Sequence, residues 1–255
     1  ITLLDDADLA FTDDPMYNNI YASEIDLNGK TLTIKEGDLR FDNVTIKNGN
    51  IVVQPGTYNG TAIFLMYSKN LTLDGVKVTA TGVASTYLIG LEGTSNLNLL
   101  NGSEIVINNE SLVNIGSIIA DNGNGNTVTI KDSKIEITNS NARLYLGGTN
   151  GNITVENSDI DLNGVKDGFY LRAGQTLAIT GTSTVDITLN STEGRYGINL
   201  TDITATYTKA ETATVNATVY EIKVAKIGDV EFKTLQEAVN AVQEGETITL
   251  VDDVN

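Results

Sequence analysis

The sequence predicts an all-β chain wound as a single-stranded right-handed parallel β-helix of about eight coils, with one short C-terminal α-helix of capping type. Three observations carry this. β-branched and other apolar residues alternate with polar ones almost throughout, the period-2 signature of strands with one buried face. Pairs of such strands, separated by a turn of Gly, Asn, Asp or Ser, recur along the chain, and their first apolar residues are Leu71, Leu97, Val128, Ile153 and Leu177, at spacings of 26, 31, 25 and 24. A third apolar segment precedes each pair, at 62–65, 88–91, 117–120, 143–146 and 169–171. Three short strands in a period near 25 are the content of one solenoid coil. At ~4.8 Å per rung, about eight coils make a rod of order 40 Å. An antiparallel sandwich expects turn signals every ~8–12 residues, with no sustained longer period.

Taken in order, Lys30-Thr-Leu-Thr-Ile34 and Asn43-Val-Thr-Ile-Lys-Asn-Gly-Asn-Ile-Val-Val53 extend the pattern towards the N-terminus, so the solenoid is expected over 1–224. Turn residues such as Asn101, Asn108, Asn157 and Asn163 are expected to form hydrogen-bonded ladders or to occupy left-handed positions. The texture changes near residue 225. Val224-Ala-Lys-Ile-Gly-Asp-Val-Glu-Phe232 reads as a hairpin around Gly228-Asp229. Thr234-Leu-Gln-Glu237 matches a capping box. Leu235, Ala238, Val239 and Val242 follow at helical spacing, with Gly245 at the expected stop, giving a helix of about ten residues.

The last eight residues, Ile248-Thr-Leu-Val-Asp-Asp-Val-Asn255, repeat the first eight, Ile1-Thr-Leu-Leu-Asp-Asp-Ala-Asp8, with five identities. Residues 225–255 therefore read as a hairpin, a short helix and the first strand of a following repeat, packing on a β-helix end. An open end exposes unpaired backbone groups and a section of the core, which an amphipathic helix covers.

Composition excludes much chemistry. The chain has 16 Lys plus Arg against 33 Asp plus Glu, a net charge of −17. Such a surface repels phosphate backbones and anionic headgroups, so nucleic acid is not expected as a partner. No apolar run approaches the ~18 residues of a membrane span. The first residues carry no basic segment of a signal peptide, as expected of a mature or excised piece. With no Cys and no His, disulfides, Cys nucleophiles and the usual metal-binding imidazoles are absent.

Lys226-Ile-Gly-Asp-Val-Glu-Phe-Lys-Thr-Leu-Gln-Glu-Ala-Val-Asn-Ala-Val242, with the Gly-Glu-Thr-Ile-Thr-Leu-Val-Asp-Asp-Val that follows, resembles the repeat opening of large gut-bacterial surface proteins. Ile25-Asp-Leu-Asn-Gly-Lys-Thr-Leu-Thr33 resembles the segment after that opening. The resemblance covers about 50 residues at the two ends. It implies a pectate-lyase-like β-helix, capped by the helix at its N-terminal end, on an exported adhesin-like protein at the cell surface, with neighbouring repeats of the same protein as partners.

The function expected is a non-catalytic structural or adhesive module that binds an extracellular glycan or a host or bacterial surface protein. The candidate site is Arg143, Tyr145, Tyr170, Arg172 and Arg195, in the third segments of successive coils. If Leu144, Leu146, Phe169 and Leu171 point inward, then Arg143, Tyr145, Tyr170 and Arg172 point outward as a ladder suited to sugar hydroxyls and carboxylates. The blander reading is that Tyr is a good strand former and Arg pairs with nearby acids. The alternative function is a polysaccharide lyase or glycoside hydrolase on uronic-acid glycans, which this fold often carries. No run of acidic residues recurs at one coil position as a lyase Ca²⁺ site requires. No cofactor is expected; Asp5-Asp6, Asp13-Asp14 and Asp252-Asp253 are the only candidates for Ca²⁺. Thr pairs such as Thr127 with Thr129 and Thr31 with Thr33 do not read as recurring on one flat face, against an ice-binding surface.

Overall fold

The computed structural model describes residues 1–10, 18–36, 39–54, 61–66, 69–80, 87–108, 117–138, 141–191 and 195–251. It is a right-handed parallel β-solenoid with one short helix near its C-terminus. Each turn lays down three strands. The first and second faces join in one 15-stranded sheet that folds around a corner, and the third face is a 9-stranded sheet. Every pairing between solenoid strands is parallel, as between Asn96–Leu100 and Thr127–Lys131 or Lys134–Thr138 and Asp159–Val165.

The sequence period is the structural one. Leu71, Leu97, Val128, Ile153 and Leu177 lie directly above one another on the first face. On the second face the stack is Val78, Ile105, Ile135, Ile160 and Val185. All are buried in one continuous apolar cluster. Polar neighbours along each strand face outward, so the alternation fixes the register: a slip of one residue would turn a whole buried row into water. About six turns, those over 44–200, have a strand neighbour on both sides on every face. The partial turns at the two ends make up the difference from the eight expected.

The corner between the first and second faces is built by residues that accept a left-handed backbone. Asn48, Gly75, Asn101, Asp132, Asn157 and Gly181 succeed one another there, with φ between 48° and 64°. Only Gly, Asn and Asp occupy the column, because a larger or branched side chain clashes with its own carbonyl in this region. Asn101 and Asn157 are thus left-handed turn residues. Just beyond runs a buried column of Ser103, Ser133, Ser158 and Ser183. Their hydroxyls donate to carbonyls, as Ser158 Oγ does to Glu156 O at 2.8 Å, and accept an N–H from the turn before, as from Ser133 N at 3.1 Å. Side-chain oxygens thereby satisfy the backbone where the chain turns and the ladder lapses.

After the last solenoid strand, Val219–Glu221, the chain forms an antiparallel sheet of Ala225–Ile227, Val230–Phe232 and Ile248–Leu250. The hairpin turns through Gly228-Asp229 as expected. Helix α1, Leu235–Ala241, packs on this sheet through Ala238, with Phe232, Leu235, Val242 and Ile248 around it. Its capping box is present, Thr234 Oγ1 accepting from Glu237 N at 3.1 Å and Glu237 Oε2 from Thr234 N at 3.0 Å. The helix is shorter than expected. Val242 is already extended, because its side chain turns into the small core, and Gly245 serves the following turn, where Glu246 N donates to Gln243 O.

Replacing Ile135 with Ala tests the stack. Ile135 sits buried between Ile105 and Ile160, and denaturant unfolding should show a loss of about 2–5 kcal/mol. A loss under about 1 kcal/mol would mean that the column is not packed there.

Candidate functional site

The third face breaks the alternation of the other two. Its strands bury successive residues: all five of Ser117–Asp121, and Leu144 with Tyr145 in Arg143–Leu146. The pairing explains why. Tyr87 pairs with Ser117 and Ile89 with Ile119, but Leu88 and Ile118 are skipped; Leu144 and Gly168 are skipped likewise. A strand kinked at one position per turn aims two neighbouring side chains inward.

This corrects the expected ladder. Tyr145 points into the core, 1% exposed, stacked on Ile119 and Phe169, while Leu146 is half-buried. Its hydroxyl belongs to an internal polar network at the corner between the third and first faces. Asp121 Oδ1 accepts from Gly123 N (2.8 Å) and Asn126 Nδ2 (2.5 Å); Oδ2 accepts from Tyr145 Oη (2.7 Å) and Gln175 Nε2 (3.3 Å). Gln175 Nε2 also donates to Tyr145 Oη at 2.7 Å, and Asn126 Oδ1 accepts from Ser95 N at 2.5 Å. The carboxylate is fully buried yet meets four donors, which offsets the cost of removing it from water. Glycines make the room: a Cβ on Gly148 would stand 2.6 Å from Asp121 Oδ1, and one on Gly147 would overlap Gln175 Oε1. Burial, then the neighbouring Asp121 charge, hold the Tyr145 phenol well above its usual range. These residues face no solvent and work as a spine.

What remains outside is a smaller, denser patch. Arg143 is paired across the ladder with Asp167, and its Nε donates to Asp167 Oδ2 at 2.6 Å. Its guanidinium carbon lies 5.7 Å from the Tyr170 ring centroid, and that of Arg172 lies 5.9 Å from the same ring. Arg172 is exposed and makes no ion pair among the described residues. Three of the five expected residues, Arg143, Tyr170 and Arg172, therefore come together. Arg195 does not join them in any described contact; its Nη1 donates to Asn190 Oδ1 at 2.8 Å.

Three residues not foreseen from the sequence, Tyr196, Asn199 and Tyr220, lie beside the patch. Tyr170 is in register with Asn199, and Asn199 with Tyr220. Tyr196 stacks on Tyr220 with centroids 4.6 Å apart. Between the aromatics, Asn199 is 8% exposed and its Oδ1 has no hydrogen-bond partner among the described residues. The missed signal was the register itself, since Tyr170, Asn199 and Tyr220 fall at unequal spacings in the sequence.

Other surfaces differ from expectation. Acidic residues do recur at one position: Glu136, Asp161 and Asp186 stack on the second face. Glu136 is paired with Lys134 at 2.8 Å and Asp186 accepts from Asn216. A shallow open groove of about 420 Å³ runs along the left-handed corner, where Glu104, Lys134 and Asp159 alternate in sign. No group of three or more acidic residues among the described residues is placed to hold a metal. Asp5 and Asp6 serve a turn, Asp6 Oδ1 accepting from Thr31 N, while Asp13-Asp14 and Asp252-Asp253 lie outside the described residues. The Thr pairs also align more than expected. Outward on the first face, Asn96 and Asn98 are followed by Thr127 and Thr129, Asn152 and Thr154, Thr176 and Ala178, and Thr206 and Thr208. Their polar groups bond along the rod, as Thr176 Oγ1 does to Asn152 Oδ1 at 2.7 Å. Thr31 and Thr33 lie on the second face.

No protein-family model, no curated protein and no solved structure matches the chain. The class that the fold defines is the parallel β-solenoid. No helix among the described residues is long and apolar enough to cross a membrane.

Tyr145→Phe removes the hydroxyl while keeping the ring, leaving Asp121 Oδ2 and Gln175 short of a partner. Denaturant unfolding at neutral pH should show a loss of about 1–3 kcal/mol. The pH dependence has a definite sign. Above about pH 10 the unfolded chain ionises this phenol and the folded chain does not, so stability falls as pH rises, and the variant should lack that part of the fall. Equal stability of the two proteins at both pH values would remove the network from the account.

Proposed function

We propose that this chain is a non-catalytic adhesive module of a secreted or cell-surface bacterial protein, and that it binds a carboxylated glycan through the third-face patch. The observation that carries the reading is the pair of guanidiniums set against Tyr170 on a chain of net charge −17. Positive charge held against an aromatic face, on an otherwise acidic surface, selects for a ligand that is locally anionic and offers C–H and hydroxyl faces. Arg172 supplies a fork of donors for a carboxylate. The rings of Tyr170 and Tyr220 supply flat apolar surface against which the C–H face of a sugar packs. Asp167 holds Arg143 in place across the rung. The likeness of the two chain ends to gut-bacterial surface repeats supports an extracellular setting, and a rigid rod suits display.

The test is binding of polygalacturonate to the full chain, beside a screen for release of reducing or unsaturated ends. Arg172→Ala and Tyr170→Ala should each weaken binding by about tenfold or more, with Arg172→Ala leaving the melting temperature unchanged. Binding should also weaken as salt rises. Variants that bind as well as the parent would end the assignment of this patch, and depolymerisation of the glycan would replace adhesion with catalysis.

A further inference from the structure

The residues around Tyr170 are arranged along the rod rather than across it. One column of the third face runs in register through Gly90, Ala120, Leu146, Tyr170, Asn199 and Tyr220. Gly90 and Ala120 are small and buried, and Leu146 is half-buried, so aromatic rings begin in this column only at Tyr170. The rung of Ser117–Asp121, buried throughout, separates Tyr87 from the rung of Arg143. That buried rung sets the limit on the N-terminal side.

Across the rod the patch is narrow. On the rung of Tyr170, Asp167 is buried and committed to Arg143. Tyr170 and Arg172 are the only residues of 167–172 that are not buried. Both guanidiniums meet the ring of Tyr170, one from its own rung and one from the rung before.

In the other direction the surface continues for two more rungs. The next presents Asn199, which is buried and adds no charge. The one after presents Tyr220, exposed, on the strand Val219–Glu221. Tyr196 stacks on that ring at 4.6 Å with 24° between the planes, which fixes its orientation. Glu221, the neighbouring acid, is tied to Lys223 Nζ at 3.0 Å, so its charge is countered. Rungs stand ~4.8 Å apart, which places Tyr220 ~9.6 Å beyond Tyr170.

We propose that the glycan lies lengthwise on the rod, one sugar to each of the four rungs from Arg143 to Tyr220, and that the site selects chains of at least four uronates. The inference rests on the glycan reading of the patch given above and adds a path and a length to it. A pyranose with its linking oxygen spans close to the rung spacing, ~4.8 Å, so an extended chain keeps step with the turns. The first two sugars meet both guanidiniums and the Tyr170 ring, where carboxylates are best held. The third passes over Asn199. The fourth packs its C–H face on Tyr220, which Tyr196 holds in place. Tyr220 is thus the residue that reads chain length.

The test is titration of the full chain with oligogalacturonates of two to six sugars. The tetramer should bind about tenfold or more tighter than the dimer, and the hexamer should add little. Tyr220→Ala should bring the tetramer down to the dimer's affinity while leaving the dimer unchanged, which also shows that the variant is folded. Tyr220→Phe should keep the tetramer's affinity, because the ring makes the contact. A dimer that binds as well as the tetramer would overturn the proposal. So would Tyr220→Ala weakening neither, or both alike. If Arg172→Ala still weakens binding in those cases, the patch stands as a glycan site and only the lengthwise path is lost. Absence of binding at every length would remove the glycan reading and this inference together.

Discussion

The structure depends on one constraint: each inward side chain must lie over another of similar size, one rung away. Parallel pairing of successive turns and packing of the core are then the same event. Ile105, Ile135 and Ile160 stack because their strands are in register, and the strands stay in register because the isoleucines stack. Neither hydrogen bonds nor apolar contacts alone would suffice, since a parallel ladder slides freely without a buried row to fix it. The corners obey the same rule with different chemistry. The first uses left-handed Asn, Asp and Gly followed by serines, each satisfying the turn before. The corner between the third and first faces holds Asp121, Asn126, Tyr145 and Gln175 in a network that spans several rungs.

That network bears on what the rod can do. A buried carboxylate with four donors is costly to disturb, so it locks the corner and with it the third-face strands that leave it. Arg143 begins the same strand that carries Tyr145 inward. The exposed patch is therefore built on a rigid element, with one guanidinium tied to Asp167 and the other at liberty to meet a ligand. Pre-organisation of this kind reduces the ordering cost of binding.

Much of the fold was legible in the sequence, and the reason is the strict alternation on two of three faces. Leu71, Leu97, Val128, Ile153 and Leu177 marked the period even across the 31-residue spacing, whose extra length falls between Glu104–Ile107 and Ser117–Asp121. The capping box of α1 was readable because it is local. The third face was not legible. Its kink buries Leu144 and Tyr145 together, so alternation extrapolated from Leu144 sent Tyr145 the wrong way. Nor could sequence distance bring Asp121 to Gln175, 54 residues on, or Asn199 between Tyr170 and Tyr220. Gly147, Gly148 and Gly151 were the one hint, small residues gathered where side chains from other turns needed space.

Because the chain contains no cysteine, paired cysteines report the winding directly. Thr129, Thr154 and Ala178 succeed one another at a single position of the first face. Adjacent rungs stand ~4.8 Å apart, within disulfide reach, and alternate rungs ~9.6 Å apart, beyond it. The double variant Thr129→Cys/Thr154→Cys should oxidise to an intramolecular disulfide under native conditions, while Thr129→Cys/Ala178→Cys should stay reduced. A chain in which the first pair failed to close, or the second closed as readily, would not be wound as stacked parallel turns in this register.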